Sequence, residues 1–158
     1  MRILVTGGAG FIGSNLIQRL LLNKKNKVFN IDKLSYASST KAIDSLLKSE
    51  NSETFGKYEF HKLNLENKDT TENILEYVNP DLIMHLAAES HVDRSIDNPE
   101  NFIASNIVGT FNLLEATRKS WKKFNEEKRN SFRFHHISTD EVFGSLGSSG
   151  IFSEETPY

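Results

Sequence analysis

The sequence contains no cysteine, carries little net charge and has no long apolar run. The absence of cysteine excludes a disulfide framework and a metal site built from thiolates. A formal net charge of −2 gives no reason to expect a nucleic-acid partner. No apolar stretch is long enough to indicate a membrane-spanning helix, and strand-like residues stand at the N-terminus, where a secretory signal would begin. We therefore expect a cytoplasmic protein without a metal site, a membrane or a nucleic-acid partner.

Segments typical of strands and helices alternate along the 158 residues. We predict strands near 2–6, 27–31, 58–62, 81–86 and 132–138, and helices near 11–23, 41–50, 67–78 and 99–126. This alternation predicts an α/β fold, a Rossmann-like doubly wound parallel sheet with the first strand at its centre.

A glycine-spaced turn follows the first predicted strand. Gly7, Gly10 and Gly13 stand three residues apart, between the apolar run 3–6 and a predicted helix. Gly7 allows a tight turn, Gly10 lets the backbone approach a pyrophosphate, and Gly13 lets the helix pack against the sheet. The N-terminus of that helix offers free N–H groups and a positive dipole end to phosphates. The turn therefore predicts a dinucleotide site, although a loop that only turns a corner can carry the same glycines.

An acidic residue closes the second predicted strand, about 20 residues further along. Asp32 can accept hydrogen bonds from an adenosine ribose, and its carboxylate would repel a 2′-phosphate. This charge favours NAD over NADP. Lys33, directly beside it, weakens the preference.

Polar side chains follow the fourth and fifth predicted strands, whose carboxyl ends are the usual ligand-binding edge of such a sheet. Ala87 and Ala88 would let a cofactor pass close to the backbone, and Ser90 and His91 offer hydrogen bonds to a polyol. The Thr-Asp-Glu triplet at 139–141 adds a hydroxyl and two carboxylates. Adjacent carboxylates can divide acid and base roles if their pKa values are pushed apart. A solvated loop or a helix cap is the plainer interpretation of the triplet.

The chain resembles the extended short-chain dehydrogenase/reductase superfamily and, within it, the dTDP-glucose 4,6-dehydratases. The resemblance covers nearly the whole chain and rests on residues 6–14, 32–37, 85–96, 106–110 and 135–144. The glycine turn is common to the superfamily, whereas the segment 85–96 and the Thr-Asp-Glu triplet are more specific to the dehydratases.

The resemblance implies NAD as cofactor and a nucleotide sugar as substrate. Asn64 and Leu65 would lie by the adenine, where the family usually has Asp-Ile, and Ser105 replaces a usual threonine. The sugar would contact Ser90, His91 and Thr139. The residues that would bind the cofactor are Gly7, Gly10, Phe11, Ile12, Gly13, Asp32, Lys33, Leu34, Ser35, Asn64, Leu65, Leu86, Ala87, Ala88, Glu89, Ser90 and Ser105.

The reaction implied by the resemblance converts dTDP-glucose into a 4-keto-6-deoxy sugar. NAD⁺ would take a hydride from C4 and return it to C6. Between these transfers, Glu141 would remove the C5 proton and Asp140 would protonate the departing C6 hydroxyl, with Thr139 against the hexose. Full-length members of the family are expected to be homodimers. The broad apolar face of the long predicted helix suits such a partner, although core packing alone also explains it.

Two other functions remain open. A nucleotide-sugar epimerase or decarboxylase would have the same cofactor half, but would not need both Asp140 and Glu141. A non-catalytic NAD-binding fragment would need neither of these carboxylates.

We also expect residues 1–158 to be an incomplete NAD-binding domain, cut after about five strands, without a C-terminal substrate-binding domain. In the family, a tyrosine followed four residues later by lysine deprotonates the C4 hydroxyl, and the pattern places this pair beyond Tyr158. We expect none of the tyrosines of this chain to have such a lysine.

The first prediction is that the 158-residue chain binds NAD weakly and turns over little or no sugar. The reason is the expected lack of the Tyr/Lys base and of a substrate domain. The purified chain is incubated with dTDP-glucose and NAD⁺ and assayed for the 4-keto product against an enzyme-free control. Robust turnover would contradict the prediction.

Overall fold

The computed structural model describes residues 1–48 and 56–158, in which five parallel strands form one sheet. The strands are β1 (Arg2–Thr6), β2 (Lys27–Asp32), β3 (Lys57–Lys62), β4 (Leu82–His85) and β5 (Arg133–His136). Their order across the sheet is β3-β2-β1-β4-β5. The predicted α/β fold with a central first strand is therefore confirmed.

Helices connect the strands. They are α1 (Phe11–Leu21), α2 (Lys41–Leu47), α3 (Lys68–Val78), α4 (Val92–Asp97), α5 (Pro99–Phe102), α6 (Thr110–Lys123) and α7 (Glu126–Ser131). A π-helical segment, Ile103–Gly109, joins α5 to α6, and a short 3₁₀ helix covers Asp140–Phe143. The predicted helices 11–23 and 67–78 are confirmed to within two residues, whereas residues 49–50 of the predicted helix 41–50 lie outside the described residues.

The prediction of one continuous helix over 99–126 is wrong. The chain becomes extended at Phe124, and the Asn125 side chain then accepts a hydrogen bond from the N–H of Lys128 at 2.8 Å. Asn125 thereby caps α7 as a separate helix. The short helix α4 was not predicted, because its six residues carry no clear apolar period.

Two hydrophobic clusters cover the two faces of the sheet, because side chains alternate along each strand. Ile3 and Val5 of β1 pack with residues of α1 and α2, and Leu4 packs on the opposite face with residues of α3 and α6. Helices on both faces bury all but the first residue of β1 and β2, which explains why the middle of β1 is apolar without alternation.

The apolar side chains of the segment 103–114 divide between core and surface. Leu113 is buried against the sheet, whereas Ile103, Ile107, Phe111 and Leu114 are exposed. Core packing therefore explains only one side of this segment, and a partner subunit on the other side stays a prediction. In the part of the chain that the structure describes, no helix has the length and apolar character needed to cross a membrane.

His85, at the end of β4, joins three elements through its ring. Its Nδ1 lies 2.6 Å from Thr6 Oγ1 on β1, and its Nε2 lies 3.0 Å from Thr110 Oγ1 on α6. The side chain is fully buried. Burial, with a further contribution from nearby His136, lowers the pKa of His85 to about 4. The neutral ring is therefore part of the folded state.

Among the described residues, no cluster of side chains suits a metal ion.

The free energy of unfolding should fall as the pH is lowered from about 6.5 to about 4, because the unfolded chain protonates His85 before the folded chain does. The loss attributable to His85 is at most roughly 3 kcal/mol. Urea denaturation across this pH range measures it. In His85→Gln the pH dependence should be flatter, whereas His135→Gln, at an exposed position on β5, should retain it. Equal slopes in His85→Gln and the wild type would contradict this assignment.

Candidate functional site

A cleft of about 430 Å³ opens at the carboxyl edge of the sheet. The parallel register places the ends of β1, β2 and β4 side by side, with Thr6 opposite both Ile31 and His85. The predicted residues that line the cleft are Gly7, Gly10, Phe11, Ile12, Gly13, Asp32, Lys33, Ser35, Asn64, Leu65, Leu86, Ala87, Ala88, Glu89, Ser90 and Ser105. Leu34 belongs to the predicted set but does not line the cleft.

Six further residues line the cleft without having been singled out from the sequence. They are Ile31, Tyr36, Ala37, Ser38, Leu63 and Ile137. Tyr36 and Ala37 stand in one of the segments that carry the family resemblance, which is the signal that could have identified them. Ile137 stands in another such segment, 135–144, whereas Ile31 and Leu63 resemble ordinary strand residues and give no signal of their own.

The glycine turn is shaped by two close approaches. Gly7 has φ +73°, and a Cβ there would lie 2.7 Å from the backbone nitrogen of Ala87. A Cβ on Gly13 would overlap the carbonyl oxygen of Gly7. The lack of a side chain at Gly13 thus lets α1 pack against the glycine turn itself. The sequence had predicted a contact between the helix and the sheet instead. Both positions exclude any larger residue without a shift of the backbone.

The N-terminus of α1 faces the cleft. The N–H groups of the first turn of any α-helix have no acceptor within the helix. Gly10, which precedes α1, supplies no side-chain cap for them either. The side chains of that turn also project outward, and Phe11 is 86% exposed. Unpaired amides and the helix dipole together favour an anion at this position.

Asp32 connects the glycine turn to the loop after β2. Its Oδ2 accepts a hydrogen bond from the N–H of Ala9 at 3.0 Å, and its Oδ1 accepts from the N–H of Leu34 at 2.8 Å and from Ser38 Oγ at 3.0 Å. The residue is only 6% exposed. Since a carboxylate can accept about four hydrogen bonds, one site remains for a ligand. This role in ordering the two loops was not predicted from the sequence.

The segment after β4 is clamped by an amide side chain. Asn106 accepts a hydrogen bond from the N–H of Glu89 and donates one to the carbonyl oxygen of Glu89, both at 2.8 Å. Asn106 belongs to the π-helical segment, as does Ser105, which lines the cleft. The clamp holds the backbone of Glu89 at the mouth of the cleft.

On the opposite wall of the cleft, Asn64 organises its own turn. Its Oδ1 accepts a hydrogen bond from the N–H of Glu66 at 3.1 Å. Leu65 beside it is buried in the core and also borders the cleft. A polar turn and an apolar side chain therefore form this wall.

The Thr-Asp-Glu triplet lies beside the cleft but does not line it. Thr139 caps the 3₁₀ helix by accepting a hydrogen bond from the N–H of Glu141 at 3.3 Å, and Asp140 is exposed. The nearest lining residue along the chain is Ile137. His91 also lies outside the cleft, with its ring stacked on Tyr36 at a centroid distance of 6.5 Å. A capping role at Thr139, the plainer interpretation of the triplet, is therefore present in the structure.

The expectation that no tyrosine has a lysine four residues later is wrong, since Lys62 follows Tyr58 at that spacing. Both residues belong to β3 rather than to a helix, and neither lines the cleft. The Tyr58 hydroxyl accepts a hydrogen bond from Asn30 Nδ2 at 2.9 Å, and burial raises the pKa of Tyr58. Tyr58 therefore packs as a structural residue and cannot serve as a base in the cleft.

Several known proteins are similar to this chain. The dTDP-glucose 4,6-dehydratase of Haemophilus influenzae is 48% identical over 159 residues, which cover 100% of this chain and 45% of the relative. The structure of dTDP-glucose 4,6-dehydratase from Bacillus anthracis in complex with NAD has a TM-score of 0.76 and 35% identity, covering 99% of this chain and 43% of that chain.

A UDP-Glc/GlcNAc 4-epimerase is similar in fold as well. The structure of this enzyme from Campylobacter jejuni has a TM-score of 0.79 and 27% identity, covering 98% of this chain and 42% of that chain. The chain therefore spans less than half the length of each of these three relatives. The family model described as GDP-mannose 4,6 dehydratase matches residues 4–158, and on this evidence the chain belongs to that family.

Proposed function

We propose that residues 1–158 form the NAD-binding domain of a nucleotide-sugar 4,6-dehydratase that acts on dTDP-glucose. The observation that carries this proposal is the convergence of three features on one cleft. These are the glycine turn with the free end of α1, the acidic end of β2, and the small residues 87–88 after β4. The 48% sequence identity to the dTDP-glucose 4,6-dehydratase of Haemophilus influenzae, which extends over the whole of this chain, supports the choice of reaction.

The chemistry of the cleft suits a dinucleotide from one end to the other. The amides of the first turn of α1 would hold the pyrophosphate, and the remaining acceptor site of Asp32 would take a ribose hydroxyl. Asn64 and Leu65 would contact the adenine. The segment 86–90 and Ser105 would lie along the nicotinamide, where small side chains leave room for a flat ring.

The protons of the reaction would be moved by side chains after β5. Bound NAD supplies the acceptor and donor of a hydride. Ser90, His91 and Thr139 would orient the sugar hydroxyls. Glu141 would remove the proton from C5 and Asp140 would donate a proton to the leaving C6 hydroxyl, so that water departs. Their place three and four residues after the cleft-lining Ile137 supports these roles.

A nucleotide-sugar 4-epimerase is the second candidate. The similarity in fold to the epimerase of Campylobacter jejuni favours it, since its TM-score of 0.79 is as high as the 0.76 of the dehydratase structure. The paired carboxylates Asp140 and Glu141 argue for the dehydratase, because inversion at C4 requires no proton transfer at C5 or C6. The two candidates share the cofactor site and differ only in the groups beside it.

Isothermal titration calorimetry with NAD⁺ tests the cofactor site. Ala88→Phe should weaken NAD⁺ binding by about tenfold or more, because the phenyl ring would occupy part of the cleft. The matched control is Lys24→Phe, in the exposed turn after α1, which lies at the opposite edge of the sheet. Unchanged affinity in Ala88→Phe, or absence of any NAD⁺ binding by the wild-type chain, would count against the proposal.

The role of Glu141 can be tested apart from hydride transfer. The chain is incubated with a dTDP-4-keto-6-deoxy sugar in deuterated water, in which the ketone acidifies the C5 proton. Exchange of that proton for deuterium should be faster than in buffer alone, because Glu141 would act as the base. Proton NMR follows the loss of the C5 signal. Glu141→Gln should reduce the rate to that of buffer, whereas Glu126→Gln, in the exposed first turn of α7, should retain it. Equal rates in the two variants would refute the assignment.

A further inference from the structure

A cation stands at the position where NADP-dependent enzymes often carry one. Lys33 directly follows Asp32 at the carboxyl end of β2, and a basic side chain near the ribose can accommodate a 2′-phosphate. Here the ammonium group is already paired. Its Nζ lies 3.0 Å from Glu89 Oε1 and 3.5 Å from Glu66 Oε1.

Both carboxylates extend from backbone that is held in place. Asn106 pairs with both backbone groups of Glu89. The N–H of Glu66 donates to Asn64 Oδ1, and its carbonyl oxygen accepts from Asn112 Nδ2 at 3.0 Å. Lys33 therefore pairs with two carboxylates whose backbones are held in place, which distinguishes the cluster from an ordinary surface ion pair.

The three side chains are also partly shielded from solvent. The side chain of Glu89 is 13% exposed, and those of Lys33 and Glu66 are 29% and 31% exposed. Salt screens such partly buried charges less than it screens exposed ones. Asp32 lies at the same end of the cleft, where three carboxylates outnumber one ammonium group, so the local charge is negative.

We propose that Glu66 and Glu89 determine cofactor choice by neutralising Lys33, so that the cleft accepts NAD and rejects the 2′-phosphate of NADP. The inference rests on the proposed function, since it requires that the cleft hold a nicotinamide dinucleotide. It assigns selectivity to residues beyond Asp32, and it resolves the conflict between Asp32 and Lys33 that the sequence presents.

The affinities of NAD⁺ and NADP⁺ are measured by isothermal titration calorimetry for the wild-type chain, Glu66→Gln, Glu89→Gln and the double variant. We expect the wild type to prefer NAD⁺, and the double variant to lose about tenfold or more of that preference through tighter NADP⁺ binding. Adding Lys33→Met to the double variant should abolish the increase in NADP⁺ affinity, because the freed ammonium group of Lys33 is the source of that increase. Glu72→Gln, which breaks an exposed pair with Lys119 away from the cleft, controls for the change in net charge.

The outcomes separate the inference from the proposed function. If the variants bind NAD⁺ but gain no affinity for NADP⁺, or if the gain survives Lys33→Met, the inference is overturned and the cofactor site stands. An equal gain of NADP⁺ affinity in Glu72→Gln would overturn the inference in the same way. If the wild-type chain binds neither dinucleotide, the proposed function fails and the inference fails with it.

Discussion

The buried carboxylate of Asp32 is the interaction on which the cleft depends. It holds the glycine turn through Ala9 and the loop after β2 through Leu34 and Ser38. A buried carboxylate is costly unless its oxygens are paired, and three donors from two different loops meet that need. The same hydrogen bonds therefore stabilise the charge and fix the glycine turn against the loop after β2.

Much of this architecture could be predicted from the sequence, because local patterns report it. The five strands and the order of the sheet follow from apolar runs alternating with amphipathic segments. The break at Asn125 could not be located in this way, since the charged residues on either side of it are all compatible with one long helix. Helix α4 was missed for the related reason that a very short helix shows no period.

The residues of the cleft were easier to predict than their contacts. Gly7 and Asp32 are recognisable from spacing, yet the approach of Gly7 to Ala87 and the clamp of Asn106 on Glu89 join residues far apart in sequence. Such contacts depend on the register between strands and on the position of a helix above them. For the Thr-Asp-Glu triplet, neither the spacing nor the contacts gave the prediction. It was recognised by resemblance, while its exposed position beside the cleft followed only from the structure.

The π-helical segment Ile103–Gly109 restricts the length of the helix that contains it. A π turn arises when an α-helix accommodates an extra residue, and such insertions recur at functional sites. Here the widened turn carries Ser105 to the cleft and Asn106 to Glu89, while α6 beyond it still buries Leu113 in the core. Because each residue of an α-helix turns the chain by about 100°, loss of a single residue within the segment would rotate one end of the helix against the other. Either the clamp or the core would then lose its partner, so a change of one or two residues here is not tolerated without loss of one of the two surfaces.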